Sequence, residues 1–172
     1  MSGEPRRVDV KVVYKPGATP NVELVSDITT KDGLLKFKNE KHRGFWVHFN
    51  LDEVTLKDYR FVQSGMSPMY SALGDGCPKS GLWDGFVPHD LFERTLIVYN
   101  ANVLPNGKNE ERFSFVLRVT KDLDRKKDVL TLDPGGINQN GPTQPFSTAA
   151  LLVIGGVAGA LLALGAEALL FN

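Results

Sequence analysis

The residue types with most chemical potential in this chain are its single cysteine, Cys77, its three histidines and its methionines. Blue-copper sites combine two histidines, a cysteine and usually a methionine, with one histidine and the methionine close after the cysteine. Here His89 follows Cys77 by twelve residues, and Met66 and Met69 both precede the cysteine. This spacing argues against a copper site, and we predict neither a metal nor any other cofactor.

The other histidines do not lie in catalytic motifs. His48 lies in a strand-like segment on the same face as Trp46, and we interpret it as a surface histidine beside a tryptophan. His42 lies in a charged turn. The chain has no serine in a nucleophile elbow, no phosphate-binding glycine loop and no paired metal-ligand motif. The sequence therefore favours a protein that is not an enzyme.

A long segment, residues 63–92, contains no convincing strand pattern but many aromatic and sulfur side chains. Loops of this length are either functional or have irregular structure of their own. One interpretation is a surface that faces a ligand or partner; the other is a loop that packs on its own small core around Trp83 and Tyr70. The candidate residues are Met66, Met69, Tyr70, Cys77, Trp83, Phe86 and His89.

The charge balance excludes a typical nucleic-acid binder. Lysine and arginine number 20, aspartate and glutamate also number 20, and the formal net charge is +0. The longest basic cluster, Arg125 to Lys127, is interleaved with aspartates, whereas binding to phosphate backbones needs a basic excess. We predict no nucleic-acid partner.

Residues 1–132 have the pattern of an all-β domain. Val8, Val10 and Val12 alternate with polar residues, which is typical of a half-buried strand. Segments 34–38 and 44–49 flank a charged turn and predict a hairpin, and segments 94–99 and 112–119 flank an Asn-Gly turn signal. About eight short strands predict an antiparallel β-sandwich of the immunoglobulin or cupredoxin-like kind.

The C-terminal part has a different composition. Residues 133–147 are rich in glycine, proline and amides, and predict a linker. Residues 149–166 are 18 consecutive uncharged, mostly apolar residues, and we predict a transmembrane helix over 148–171. Its strongly apolar side chains favour insertion by roughly 3–7 kcal/mol, whereas Glu167 near the end of the span costs less than the ~2.5–3.5 kcal/mol of a central charge.

Small residues in the predicted helix lie four apart, which places them on one face where a second helix can approach closely. Glu167 lies on the same stripe. Helix association is one interpretation, and the high frequency of glycine and alanine in membrane helices is the other. The candidate packing residues are Gly155, Gly156, Gly159, Ala160, Ala163 and Glu167.

The N-terminal domain is expected in the cytoplasm. The sequence starts without an apolar stretch of signal-peptide length, and a single cysteine allows no intrachain disulfide. The protein is therefore expected to be a single-pass membrane protein anchored at its C-terminal end.

Asp133 and Pro134, followed by Asn138 and Pro142 after the last predicted strand, resemble the closing segment of the DP-EP family. These are small bacterial β-sandwich proteins of unassigned function. The resemblance covers the β domain, implies a compact sandwich and names no activity. Gly135, Gly136 and the apolar C-terminal segment depart from that pattern.

These observations favour a membrane-anchored, non-catalytic binding or structural module, an accessory subunit of a larger membrane assembly. Its predicted partners are the membrane and other transmembrane helices or further copies of the chain. Two alternatives stay open: a small-ligand-binding protein or enzyme that uses segment 63–92, and a soluble homo-oligomer that buries the C-terminal helix.

Overall fold

The computed structural model describes residues 4–38, 44–63, 65–104, 109–121 and 129–139. Within these residues the chain is all-β and contains no helix, which confirms the predicted class. The strands are β1 (Arg6–Tyr14), β2 (Val22–Val25), β3 (Leu35–Lys38), β4 (Phe45–Leu51), β5 (Arg60–Phe61), β6 (Met69–Leu73), β7 (Phe86–Leu91), β8 (Thr95–Asn100), β9 (Glu110–Thr120), β10 (Val129–Leu132) and β11 (Gly135–Gln139).

The strands form two sheets that enclose one hydrophobic core. Sheet A has the order β2-β1-β4-β8-β7, and sheet B has the order β10-β9-β11-β3, with β5 and β6 also paired to β9. The core is dominated by phenylalanines, and Phe37, Phe45, Phe49, Phe86 and Phe115 are fully buried. This arrangement agrees with the predicted sandwich, but the described residues contain eleven strands rather than about eight.

Alternation decides which side chains reach the core in the strands with the clearest pattern. In β1, Val8, Val10 and Val12 are at most 2% exposed, and the polar residues between them face outward. In β4, Trp46 and His48 share the outer face, as predicted from the sequence.

Two of the predicted pairings, and the purely antiparallel arrangement, are wrong. β3 and β4 do not form a hairpin, because β3 pairs with β11 in sheet B and β4 pairs with β1 and β8 in sheet A. β8 and β9 likewise lie in different sheets. The fold is also not purely antiparallel, since β1 with β4 and β3 with β11 are parallel pairs. Period-2 patterns identify strands, but they do not say which sheet a strand joins.

Segment 63–92 contains two strands that the sequence pattern does not reveal. In β6, the inward position between Met69 and Leu73 is occupied by Ser71, which is 3% exposed. Its hydroxyl donates to Phe86 O at 2.9 Å and accepts from Trp83 N at 2.8 Å. These hydrogen bonds satisfy the buried hydroxyl, so a polar residue occupies a core position and breaks the hydrophobic alternation.

Strand β7 escapes the sequence pattern for a different reason. It contains Pro88 and a register shift between Pro88 and Asp90, so its apolar residues do not alternate. Proline has no N–H to donate and is tolerated at a sheet edge. β7 is an edge strand of sheet A, and its hydrogen-bonded neighbour is β8.

The predicted linker, 133–147, begins with a strand of the domain. β11 pairs with β9 on one side and with β3 on the other. A Cβ at Gly136 would stand 2.3 Å from Cζ of Phe113, so this glycine is required by close packing. The glycines that suggested a flexible segment thus allow backbone to approach a core aromatic ring.

Several other predictions lie outside the described residues. They include the transmembrane helix over 148–171 with its packing residues, the Asn-Gly turn at 106–107, His42 and the basic cluster at 125–127. Among the residues that the structure does describe, no helix is long and apolar enough to cross a bilayer.

Candidate functional site

The candidate residues of segment 63–92 do not form one surface. Met69 and Phe86 are fully buried, and Trp83 packs against the core with its ring centroid 5.4 Å from that of Phe113. Met66 and Tyr70 contact Arg118 of β9, whereas the His89 ring contacts Trp46 of sheet A. The segment therefore contributes side chains to the core and to both sheets.

On sheet B, Arg118 joins the segment to β9. Its Nη1 donates to Ser67 O at 2.9 Å and to the Tyr70 hydroxyl at 2.8 Å. Its guanidinium carbon also lies 4.9 Å from the centroid of the Tyr70 ring. A guanidinium with this many partners orders the backbone around it, so we interpret Arg118 as a structural residue.

The one cysteine, Cys77, is exposed, but the pKa of its thiol is raised. Burial raises the pKa of the Cys77 thiol above its ordinary value, and a hydrogen bond to Asp133 and the charge of that carboxylate raise it further. Because the thiolate is the nucleophilic form, a raised pKa lowers reactivity at neutral pH. The thiolate form of Cys77 is therefore less populated at neutral pH than that of an ordinary cysteine.

The outer face of sheet A carries the most concentrated group of partly exposed aromatic side chains. Trp46 of β4 lies opposite Tyr99 of β8, and their ring centroids are 4.8 Å apart. The His89 ring reaches the same place from β7, with its centroid 4.7 Å from that of Trp46. We call Trp46, Tyr99 and His89 the aromatic cluster.

Polar pairs surround the aromatic cluster. Arg7 is opposite Trp46 on β1 and forms an ion pair with Asp9 at 2.8 Å, and His89 Nδ1 lies 3.1 Å from Asp90. Partial burial lowers the pKa of His48, and the positive charge of Arg7 lowers it further, against the opposing effect of Asp9. These effects favour the neutral form of His48, and the face combines aromatic rings with charges of both signs.

The sequence gives only part of the aromatic cluster. Alternation within β4 places Trp46 on the outer face, but Tyr99 and His89 come from other strands. The β7 register shift next to His89 has no signal in the hydrophobic pattern. The three residues come together only because β8 pairs with β4 and with β7. The sequence instead predicts that β8 pairs with β9, which is wrong.

One end of the sandwich holds a buried asparagine network. Asn100 Nδ2 donates to Asn138 Oδ1 at 2.9 Å, and Asn102 N donates to Asn100 Oδ1 at 2.7 Å. Asn102 Nδ2 donates to Gln139 O at 3.3 Å, and its backbone has a φ of 51°. The network connects β8 of sheet A to β11 of sheet B. We call this the exit end, because β11 ends there.

The opposite end, which we call the far end, is organised by Asp52 and Arg94. Asp52 caps the turn that follows β4, accepting from Thr55 N at 2.8 Å and pairing with Lys11 at 3.1 Å. Arg94 donates to five backbone oxygens around that turn, those of Leu51, Asp52, Leu56, Lys57 and Tyr59. Val54 and Phe92, exposed by 79% and 58%, project from this end.

Within the described ranges, no three side chains of histidine, cysteine, aspartate or glutamate come together as a metal site. The aromatic cluster presents amphipathic rings on the surface of a sheet, and such rings are suited to binding.

Comparison with known proteins gives no relative: no family model matches the chain, and no curated protein and no solved structure is detectably similar to it.

Proposed function

We propose that the protein is a non-catalytic binding or structural module held at a membrane by its apolar C-terminal segment, as an accessory subunit of a larger membrane assembly. The observation that carries this proposal is the fixed position of the last described strand in front of the apolar segment. β11 is paired on both sides, and Asn138 is fully buried, so residues up to Gln139 belong to the sandwich. Nine residues, 140–148, then precede the uncharged run 149–166.

The energetic argument for the membrane rests on that run. An 18-residue uncharged segment approaches the ~20 residues that span the hydrocarbon core of a bilayer. The sandwich, for its part, already has a filled core of its own. The alternative that segment 63–92 forms a ligand site has less support, because its side chains are divided between the core and both sheets.

The first experiment is membrane fractionation of the full chain with a carbonate wash, followed by purification in mild detergent. We expect the protein to stay in the carbonate-resistant fraction and to retain other membrane proteins or further copies of itself. A freely soluble, monodisperse monomer without detergent would contradict the proposal. A water-soluble oligomer would instead support burial of the C-terminal segment between copies.

The second experiment tests the proposed helix contact. In the full chain, Gly159→Leu should weaken association in mild detergent, because a large side chain keeps two helices apart. Val157→Leu is the matched control, since residue 157 lies on the opposite side of a helix from Gly159. Equal association of both variants and the wild type would show that the small-residue stripe has no packing role.

A further inference from the structure

Two members of the aromatic cluster, Trp46 and Tyr99, lie near the exit end of the sandwich. Asn100 contacts Asn138 beside the last residue of β11, and Asn100 pairs with Phe45 at the start of β4. Trp46 and Tyr99 are the next pair along the same two strands. The tryptophan and tyrosine are therefore one pair along these strands from the exit end, with their side chains on the outer face of sheet A.

The local packing holds the tyrosine at this end. A Cβ at Gly44 would stand 2.7 Å from the Tyr99 hydroxyl oxygen and 2.8 Å from Asn100 O. The ring thus packs over bare backbone, next to the Trp46 ring, and both side chains are only half-buried. Each has an apolar body and a polar tip, which is the reason why tryptophan and tyrosine concentrate at membrane–water interfaces.

From this position we infer that the aromatic cluster rests in the headgroup region of the phospholipid bilayer that holds the C-terminal segment. The inference depends on the proposed membrane attachment and adds the face of the domain that meets the lipid. Residues 140–148 span at most ~30 Å even when fully extended, so the exit end stays near the bilayer surface.

The charges near the aromatic cluster agree with binding to lipid through the aromatic rings rather than through charge attraction. Arg7 is paired with Asp9, and Lys11 of the same strand is paired with Asp52, so each basic side chain of β1 on this face is matched by an acid. An electrostatically attracted domain would instead present a basic excess to anionic lipids. The contact is therefore expected to persist at high salt, because screening weakens charge attraction but not aromatic partitioning.

The test uses the full chain reconstituted in phosphatidylcholine vesicles that contain a nitroxide-headgroup lipid as quencher. Trp46 and Trp83 are the two tryptophans, so Trp83→Phe leaves Trp46 as the reporter. The matched control is a triple variant, Trp46→Phe with Trp83→Phe and Phe92→Trp, which moves the reporter to the exposed far end. We expect the quencher to lower the emission of Trp46 about twofold, at low and at high salt, and to leave the far-end reporter almost unchanged.

If Trp83→Phe does not fold, the wild type is compared with Trp46→Phe, and quenching should decrease when Trp46 is removed. Equal quenching at both reporter positions, or none at Trp46 in a chain that resists carbonate extraction, would overturn the inference while leaving membrane attachment intact. A chain that does not float with the vesicles would overturn both.

Discussion

At the scale of single residues, Asp52 connects several parts of the far end. Its side chain is 7% exposed, and its Oδ2 accepts from Thr55 N and from the Thr55 hydroxyl, while Oδ1 lies 3.1 Å from Lys11 Nζ. The backbone hydrogen bond from Thr55 and the hydrogen bond from Lys11 hold the pKa of this carboxyl well below its usual range. The carboxylate thus stabilises the folded state in its charged form.

We expect Asp52→Asn to lower the melting temperature at pH 7 and to flatten its dependence on pH in acid. The folded-state pKa lies below the unfolded value of about 3.9, so the unfolded chain takes up the proton first as the pH falls. The stabilisation is complete above about pH 5 and is lost progressively below about pH 4. Thermal unfolding followed by circular dichroism between pH 7 and pH 3 measures both effects.

The matched control is Asp58→Asn, which removes an exposed acid of the same turn. It should leave the melting temperature and the slope of the pH curve close to those of the wild type. Parallel pH curves for the wild type and Asp52→Asn would show that Asp52 does not contribute to the acid sensitivity of the fold.

At the scale of elements, Arg94 fixes the irregular turn between β4 and β5. Its Nη1 lies 3.0 Å from three carbonyl oxygens, which share its two N–H groups, and its Nη2 donates to two more at 3.1 and 3.3 Å. Replacement by methionine keeps part of the apolar stem but leaves those carbonyls without a charged donor. We expect Arg94→Met to lower the free energy of unfolding by about 2–3 kcal/mol.

Urea denaturation of Arg94→Met measures that loss, with Arg60→Met as the control. Arg60 forms an ion pair with Glu93 at the surface, which is worth about 0–1 kcal/mol. If the two variants lose the same stability, the five hydrogen bonds of Arg94 do not hold the turn.

Gly136 of β11 gives a second prediction at this scale. Gly136→Ala places a methyl group against Phe113, whose ring is itself packed against Phe37, Trp83 and Phe86. Since the ring has little room to move, we expect a loss of about 1–3 kcal/mol in chemical denaturation.

Gly135→Ala is the neighbouring control. Its Cβ would meet the end of the flexible Leu34 side chain at 2.9 Å, so its cost should be smaller. Adding Phe113→Leu to Gly136→Ala should recover part of the loss, because the two changes share one contact. Purely additive losses would contradict the packing explanation.

The same elements show how far the sequence could predict the fold. The all-β class and the inward face of β1 follow from alternation, because Val8, Val10 and Val12 bury their side chains independently of partner choice. β6 and β11 were missed because Ser71 and Gly136 occupy buried positions for reasons of hydrogen bonding and close packing. Both contacts are long-range, because Ser71 bonds to Phe86 and Gly136 packs against Phe113, so they form only in the folded chain.

The aromatic cluster had the same limit. Trp46 and His48 could be assigned to one face from the sequence, whereas the Trp46–His89 contact depends on β8 lying between β4 and β7. Long-range strand order is set by the whole core and not by a local pattern. Met69 and Phe86, which the sequence offers as ligand- or partner-facing residues, are core residues.

At the scale of the whole molecule, the domain extends beyond the predicted boundary at residue 132. β11 lies between β9 and β3, and its removal would separate β3 from the rest of sheet B. We therefore expect a chain that ends at residue 132 to lack a cooperative unfolding transition. A chain that ends at residue 139 should fold, because it retains every described strand.

Circular dichroism and thermal unfolding of the two truncated chains distinguish these outcomes. Asn138→Ala in the longer chain is an intermediate case, since it keeps β11 but removes the bridge to Asn100. Cooperative unfolding of the chain that ends at residue 132 would show that the domain ends at residue 132, as predicted from the sequence.

The β7 edge of sheet A has a consequence for how copies of the protein behave when they are close together. Exposed strand edges can recruit a neighbouring chain through their unpaired N–H and C=O groups, and this leads to open-ended association. At β7, Pro88 offers no N–H and the shift before Asp90 interrupts the register. A second copy of the protein therefore cannot form a regular hydrogen-bond ladder with β7, even at high local concentration. Sheet A does not extend from one copy to the next through this edge.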